Sequence, residues 1–265
     1  MSVPLAVFAA QGCVAELSTG VAGVGARCDS GGMRELWQEL RQEIAGLVLP
    51  VECAGCGRSR TRRRLCEVCA GVLSGAVPWR VRPSRVPPGL PPVYGAFPYA
   101  DEVRAVLLAH KERGALPLAA PLGAALAGAV AAAAAAGCPE PAGGPLTLVP
   151  VPSARRAVAR RGHDPVRKLA LEAAGGLRRA GVPARVLSAL RQRRAVADQA
   201  GLTAEQRAAN LRGALEAVPG GRRTLERERT VLVDDLMTTG ASLAEAARAL
   251  GGAAGAAVLA VRSGA

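Results

Sequence analysis

Val231-Leu232-Val233-Asp234-Asp235-Leu236-Met237-Thr238-Thr239-Gly240-Ala241-Ser242-Leu243 is the stretch that decides the fold. Three aliphatic residues run into two carboxylates, a hydroxyl-rich turn with a glycine follows, and Ala-rich helical sequence comes next. Strand, acidic pair, tight turn and helix form the layout of a phosphate site at the C-terminal edge of a parallel sheet. The turn offers successive backbone N–H groups from Thr238 to Ser242. Such a nest, backed by the positive end of a helix, holds a phosphate without a cationic side chain. Gly240 lets the backbone come close, because a Cβ there would block the oxygen atoms. The hydroxyls of Thr238, Thr239 and Ser242 add donors. A nucleoside triphosphate loop instead carries a lysine after its glycine and no acids before it. Asp234 and Asp235, one strand-end from the phosphate, suit the vicinal hydroxyls of a ribose. These residues describe a ribose 5-phosphate cradle; the plainer alternative is a strand-end Asp pair that binds a metal or nothing.

The 265 residues suffice for one good core and a small appendage. Half of them are apolar, which marks a globular chain, while aromatics make up only 2% and Ala and Gly take their place. Lys111 and Lys168 are the two lysines among 34 cationic residues. That bias, with the Ala excess, looks like GC-rich coding and not a functional choice. The net charge of +13 is uneven: residues 151–213 hold fourteen cations and four acids. So basic a segment implies a polyanionic partner, pyrophosphate or nucleic acid or both. For Arg178, Arg179 and Arg185, spaced along a helix and its exit, a solvated face is the better reading.

Seven cysteines are an odd total and argue against a secreted disulfide framework. Cys13, Cys28 and Cys138 stand alone. Cys53-x2-Cys56 and Cys66-x2-Cys69 form two knuckles nine residues apart, and four thiolates so spaced make a closed tetrahedral zinc site. No open ligand position is visible, so the zinc is expected to be structural; free or redox thiols are the alternative. The arginines of the connector 57–65 offer a weaker case for nucleic-acid contact. No cationic n-region precedes the apolar start, so no signal peptide is expected. Residues 118–138 are uncharged and long enough to raise the question of a membrane span. They are mostly Ala and Gly, which contribute little to insertion, so a buried soluble helix and a cytoplasmic protein are expected.

Along the chain, residues 1–32 show no period and read as a disordered lead. Residues 33–50 place Leu36, Trp37, Leu40, Ile44, Leu47 and Val48 on one helical face, and with the four cysteines they make up a module spanning 33–76. Residues 77–92 are Pro-rich and read as a linker. Residues 93–265 form the main domain. Within it, 101–110 reads as a helix that Asp101 can cap, closed by 111–114, and an Ala-rich helix ends at Gly137. Strands at 146–151, 185–187, 230–234 and 256–261 alternate with helices at 165–179, 203–211 and 242–250. The last carries a Ser242/Glu245 capping box and a Gly251-Gly252 stop. The alternation predicts an α/β fold with a parallel sheet, flanking helices and sites at the strand C-termini.

Two Arg-rich runs fall beside those strand ends. Arg155, Arg156, Arg160 and Arg161 follow the strand 146–151, where bidentate guanidinium donors suit a pyrophosphate leaving group. Arg193, Arg194 and Gln199, with Arg207 and Asn210 beyond, read as a mobile polar loop leading into a helix. Such a loop can close over a reactive centre and exclude water. The bland alternative for both is a solvated arginine face.

With these residues in hand, a family resemblance emerges. Residues 231–243 resemble the 13-residue 5-phosphoribosyl 1-pyrophosphate (PRPP) signature of type I phosphoribosyltransferases. From Met33 onward the arrangement resembles the ComF family, whose members join a four-cysteine zinc module to a phosphoribosyltransferase-like domain. The matching pieces are Cys53, Cys56, Cys66 and Cys69; Lys111-Glu112-Arg113-Gly114; Pro150-Val151-Pro152 with Arg161-Gly162; the run from Arg193 through Gln199, Leu202 and Arg207 to Asn210; and the acidic PRPP loop. One departure is Arg161-Gly162-His163-Asp164-Pro165, where the family often has Arg-Gly-Phe-Asn-Gln. The resemblance implies a type I phosphoribosyltransferase-like sheet and PRPP binding by Asp234, Asp235, Leu236, Met237, Thr238, Thr239, Gly240, Ala241 and Ser242. It implies Mg²⁺ accompanying PRPP, structural Zn²⁺, and glycosyl transfer with pyrophosphate release, Asp234 and Asp235 being the catalytic pair. It also implies an association with competence and DNA uptake, with single-stranded DNA or a competence helicase as partner. The acceptor is not specified, and its recognition is expected from residues 94–111. The alternative is a non-catalytic accessory protein that senses PRPP or binds single-stranded DNA.

Overall fold

The computed structural model describes residues 52–59, 61, 64–137, 145–194, 204–226 and 228–262. The lead 1–32, the amphipathic stretch 33–50, Cys13, Cys28, Cys138 and the loop segment with Gln199 lie outside the described residues. The side chain of Arg207 does as well.

The most apolar runs make the centre of the sheet. β3 (Leu146–Pro150) and β8 (Gly255–Val261) are buried along their whole length, as strands covered on both faces must be. Between them lies β7 (Arg229–Met237). With β1 (Trp79–Val81), β2 (Val93–Pro98) and β4 (Ala184–Val186) they form a six-stranded sheet of order β1-β2-β8-β7-β3-β4. Every pairing is parallel except β1 with β2. The expected α/β class and the mostly parallel sheet with flanking helices are therefore present.

One face of the sheet is covered by α1 (Glu67–Ser74), α2 (Asp101–Glu112), α3 (Ala119–Gly137) and α5 (Pro165–Arg179), whose buried residues join Leu148, Val231, Val233 and Leu259 in one core. The other face carries α8 (Ala241–Leu250), α7 (Gly221–Leu225) and a two-stranded antiparallel sheet of β5 (Leu190–Gln192) and β6 (Leu215–Ala217). These pack on Val149, Leu232 and Val258. Short α4 (Arg155–Arg161) and α6 (Ala204–Leu211) complete the described elements.

α3 is long and apolar enough to cross a membrane by composition, yet Leu122, Leu126, Ala129, Val130 and Ala133 are fully buried in the core. Its glycine permits this. A Cβ on Gly123 would fall 2.3 Å from the Glu172 Cβ, so α3 and α5 meet almost backbone to backbone.

Several local readings are corrected. Residues 77–92 are not all linker, because β1 lies within them and pairs Trp79 with Gly95 and Val81 with Val93. Three residues are too few to show a period. β7 does not stop at Asp234 but runs through Asp235 and Leu236 to Met237, paired to β8 throughout. α8 has no capping box: it starts at Ala241 behind Gly240, and the Glu245 carboxylate instead accepts from Leu215 N at 3.1 Å and from Arg248. Asp101 does not cap α2, whose N-cap is Ala100 without a side-chain bond. The cysteine module and the sheet belong to one compact unit, 50–265, with Leu73 of α1 in the shared core.

Candidate functional site

The turn after β7 is built around Gly240. Its φ of 77° is left-handed, and a Cβ there would meet the Leu90 side chain at 3.1 Å. The conformation favours glycine, and an added methyl would also crowd the end of the Leu90 side chain. The first helical bond of α8 runs from Ala244 N to Gly240 O, so the amides of Ser242 and Leu243 have no partner within the helix. Together with Thr238 and Thr239 they border a recess that also reaches Asp234.

A larger cavity of about 490 Å³ opens beside it. Asp234, Asp235, Thr238 and Ser242 form one side, and Lys111 from the last turn of α2 lies with them. Ser153 and Arg161, at the two ends of α4, and Gln192, at the end of β5, line it as well. Asp234 thus borders both the recess at Gly240 and this cavity, whereas Asp235 borders the cavity alone.

The two aspartates differ. Asp235 is 3% exposed, and Lys111 Nζ lies 2.7 Å from its Oδ2. Asp234 Oδ1 accepts the Asp235 N–H at 2.8 Å. Burial pushes the Asp234 carboxyl up to about 8, and the neighbouring Asp235 charge adds to the rise against the pull of Lys111. For Lys111, burial alone would lower the ammonium, but Asp235, with Asp234 and Glu112, outweighs it and raises it.

The arginines divide. Arg161 lines the cavity with a side chain 8% exposed, donates to Glu112 Oε1 at 3.1 Å, and keeps its buried Nε without a partner. Arg160 reaches the same carboxylate at 3.5 Å but is 75% exposed. Arg155 and Arg156 are exposed and not among the lining residues, though Arg155 N donates to Gln192 Oε1 at 3.4 Å. Arg193 is exposed, and Arg194 donates to the carbonyls of Asn210 and Arg212, tying the exit of β5 to the end of α6. Arg161 is the one described arginine of those six that lines the cavity with the two acids.

The departing turn 161–165 is an anchoring device. Asp164 caps α5, accepting from Val166 N at 3.0 Å and Arg167 N at 3.2 Å, and it also accepts the Ser153 hydroxyl at 3.2 Å. His163 Nδ1 lies 2.9 Å from Arg161 O, and its ring stands 6.4 Å from that of fully buried His110. Burial lowers the basicity of His110. Lys111, Ser153 and Gln192 were not legible as site residues. For Lys111 the one signal was its place in the family-like Lys111-Glu112-Arg113-Gly114 segment, which gave it no role of its own.

Away from this cavity, the sulfur atoms of Cys53, Cys56, Cys66 and Cys69 all lie within 4.8 Å of one another, and Cys56 Sγ is 3.7 Å from Cys66 Sγ. Tetrahedral Zn–S bonds of about 2.3 Å require sulfur atoms about 3.8 Å apart, so the set fits a structural zinc ion. Cys66 N donates to Cys53 Sγ at 3.3 Å. Burial opposes ionisation of Cys53, but its backbone donors prevail and lower it to about 6, whereas burial and the neighbouring thiols push Cys69 well above its ordinary value. Among the described residues, no other group of His, Cys, Asp and Glu gathers in this way.

Comparison with protein-family models finds no match, and comparison with curated proteins finds none either.

Proposed function

We propose that the chain binds PRPP at the C-terminal edge of its sheet and transfers the phosphoribosyl group to an acceptor with release of pyrophosphate, as a type I phosphoribosyltransferase-like member of the ComF family. One observation carries this reading: Asp234, Asp235, Thr238, Ser242 and the cationic pair Lys111 and Arg161 all border a single cavity. The amides and hydroxyls of the turn take the 5-phosphate. Asp234 and Asp235 take the ribose hydroxyls, and the Asp235 carboxylate favours the positive charge that develops at C1 as the C1–O bond to pyrophosphate breaks. Arg161 faces the departing diphosphate. Magnesium, when bound, neutralises the diphosphate, whose oxygens would be its principal ligands, with an aspartate as the protein's contribution. The four thiolates hold a structural zinc ion.

A second reading keeps PRPP binding without chemistry, in an accessory protein that handles single-stranded DNA in competence. It is favoured by the exposed row of Arg155, Arg156 and Arg160 just outside the cavity. Against it, aromatics for base stacking are few. The test is incubation with PRPP, Mg²⁺ and a panel of bases and nitrogen nucleophiles while pyrophosphate is followed. Release abolished by Asp235→Asn supports transfer. PRPP binding without release supports the accessory reading, and absence of PRPP binding defeats both.

A further inference from the structure

Lys111 and a ribose hydroxyl would share the Asp235 carboxylate. Asp235 is 3% exposed, and Lys111 Nζ lies 2.7 Å from its Oδ2. A hydroxyl that takes this carboxylate draws on charge that the ammonium now neutralises, which loosens the ammonium and leaves it able to move. The neighbouring acid cannot receive it cleanly, because Glu112 is already held by Arg161 at 3.1 Å and Arg160 at 3.5 Å. Lys111 itself remains a lining residue of the cavity, with about a third of its side chain exposed, so it has room to turn.

The residue type points the same way. Two of the 34 cationic residues are lysine, and one of the two sits on the acid pair. An arginine there would clamp the carboxylate through two parallel bonds. An ammonium makes a single-point contact on a flexible stem and exchanges partners easily.

We infer that Lys111 is an exchangeable ammonium: it holds Asp235 until the ribose hydroxyls take that carboxylate, then transfers to the 1-diphosphate, and so sets the preference for a 1-diphosphorylated over an unsubstituted ribose 5-phosphate. This rests on the PRPP reading above. Diphosphate is the chemistry that fits, since the loosened cation needs a new anion within the cavity, where Arg161 supplies one further cationic group.

The experiment is calorimetric titration of the full-length chain, wild type, Lys111→Met and Lys111→Arg, with PRPP and with ribose 5-phosphate, each in Mg²⁺. The ratio of the two affinities is read, because damage to the shared cradle affects both ligands alike. Wild type should favour PRPP by about tenfold or more, and Lys111→Met should reduce that ratio about tenfold. Lys111→Arg should weaken both ligands while keeping the ratio, its fork being slow to leave Asp235. An unchanged ratio in Lys111→Met overturns the inference and leaves PRPP binding intact. Wild-type affinity in Lys111→Arg for both ligands overturns the exchange. A wild type that binds neither ligand overturns this inference and the PRPP reading together.

Discussion

A Cβ on Gly55 would stand 3.3 Å from the Cβ of Glu102 and 2.8 Å from Cys69 Sγ, so the cysteine module is seated directly on the first turn of α2. The last turn of the same helix carries Lys111 to the acid pair. Metal content and site geometry are thereby linked through one rigid element. Metal analysis should give one zinc per chain. Its removal by a chelator should lower the melting temperature by roughly 5–10 °C, since a structural ligand lost from a unit of this size costs several kcal/mol. Cys69→Ser should be worse than Cys56→Ser, because Cys69 is 1% exposed and Cys56 lies at the surface. Equal melting curves with and without chelator would argue that the thiols hold no metal.

The contact of α3 with α5 gives a second prediction. Gly123→Ala would drive a methyl to within 2.3 Å of the Glu172 Cβ and 3.1 Å of Ala173 N. Backbone, not a flexible side-chain end, is what must move. The expected destabilisation is about 1–3 kcal/mol, read as a lower denaturant midpoint with unchanged slope. Gly128→Ala, whose Cβ would meet only the Pro78 ring at 3.2 Å, should cost much less.

What was legible in the chain follows from range. α5 runs from Pro165 to Arg179, matching the sequence reading, because a capping Asp164, a proline at the first turn and an amphipathic stripe are all local signals. The acid pair and Gly240 were legible for the same reason. β1, β5 and β6 are three residues each, too short to carry a period, and their pairing partners supply what the sequence does not show. Glu245 looked like half of a capping box, but a tertiary contact with Leu215 N claimed it. The Lys111–Asp235 pair joins residues distant in the chain, and no local pattern announces it. Nor does the run 155–161 reveal which of its arginines turns inward: Arg161 does, while Arg155, Arg156 and Arg160 remain in solvent.

Gly240→Ala tests the bend itself. The left-handed conformation costs a Cβ-bearing residue about 1–2 kcal/mol, and the methyl would press on the end of the Leu90 side chain at 3.1 Å. Thermal unfolding should shift down by a few degrees. PRPP affinity should fall by at least about tenfold, since the amides of the turn would have to move from the phosphate. Full affinity in a folded Gly240→Ala protein would place the phosphate elsewhere.

The last prediction concerns pH. Burial and the Asp235 charge raise Asp234 from 3.8 to about 8 in the folded chain. Between those values the folded protein keeps a proton that the unfolded chain has lost. The stability owed to this residue therefore falls as pH rises through that window and levels off above it. Asp234→Asn cannot lose the proton and removes the dependence. The melting temperature of Asp234→Asn minus that of the wild type should accordingly become more positive from pH 5 to pH 8. The Asp235 charge and Lys111 contribute to the Asp234 shift, so the difference reports this interacting group and not one isolated carboxyl. A difference that stays flat across that range would mean that Asp234 ionises in the ordinary carboxylate range, and that the cavity carries two negative charges at neutral pH against the single ammonium of Lys111.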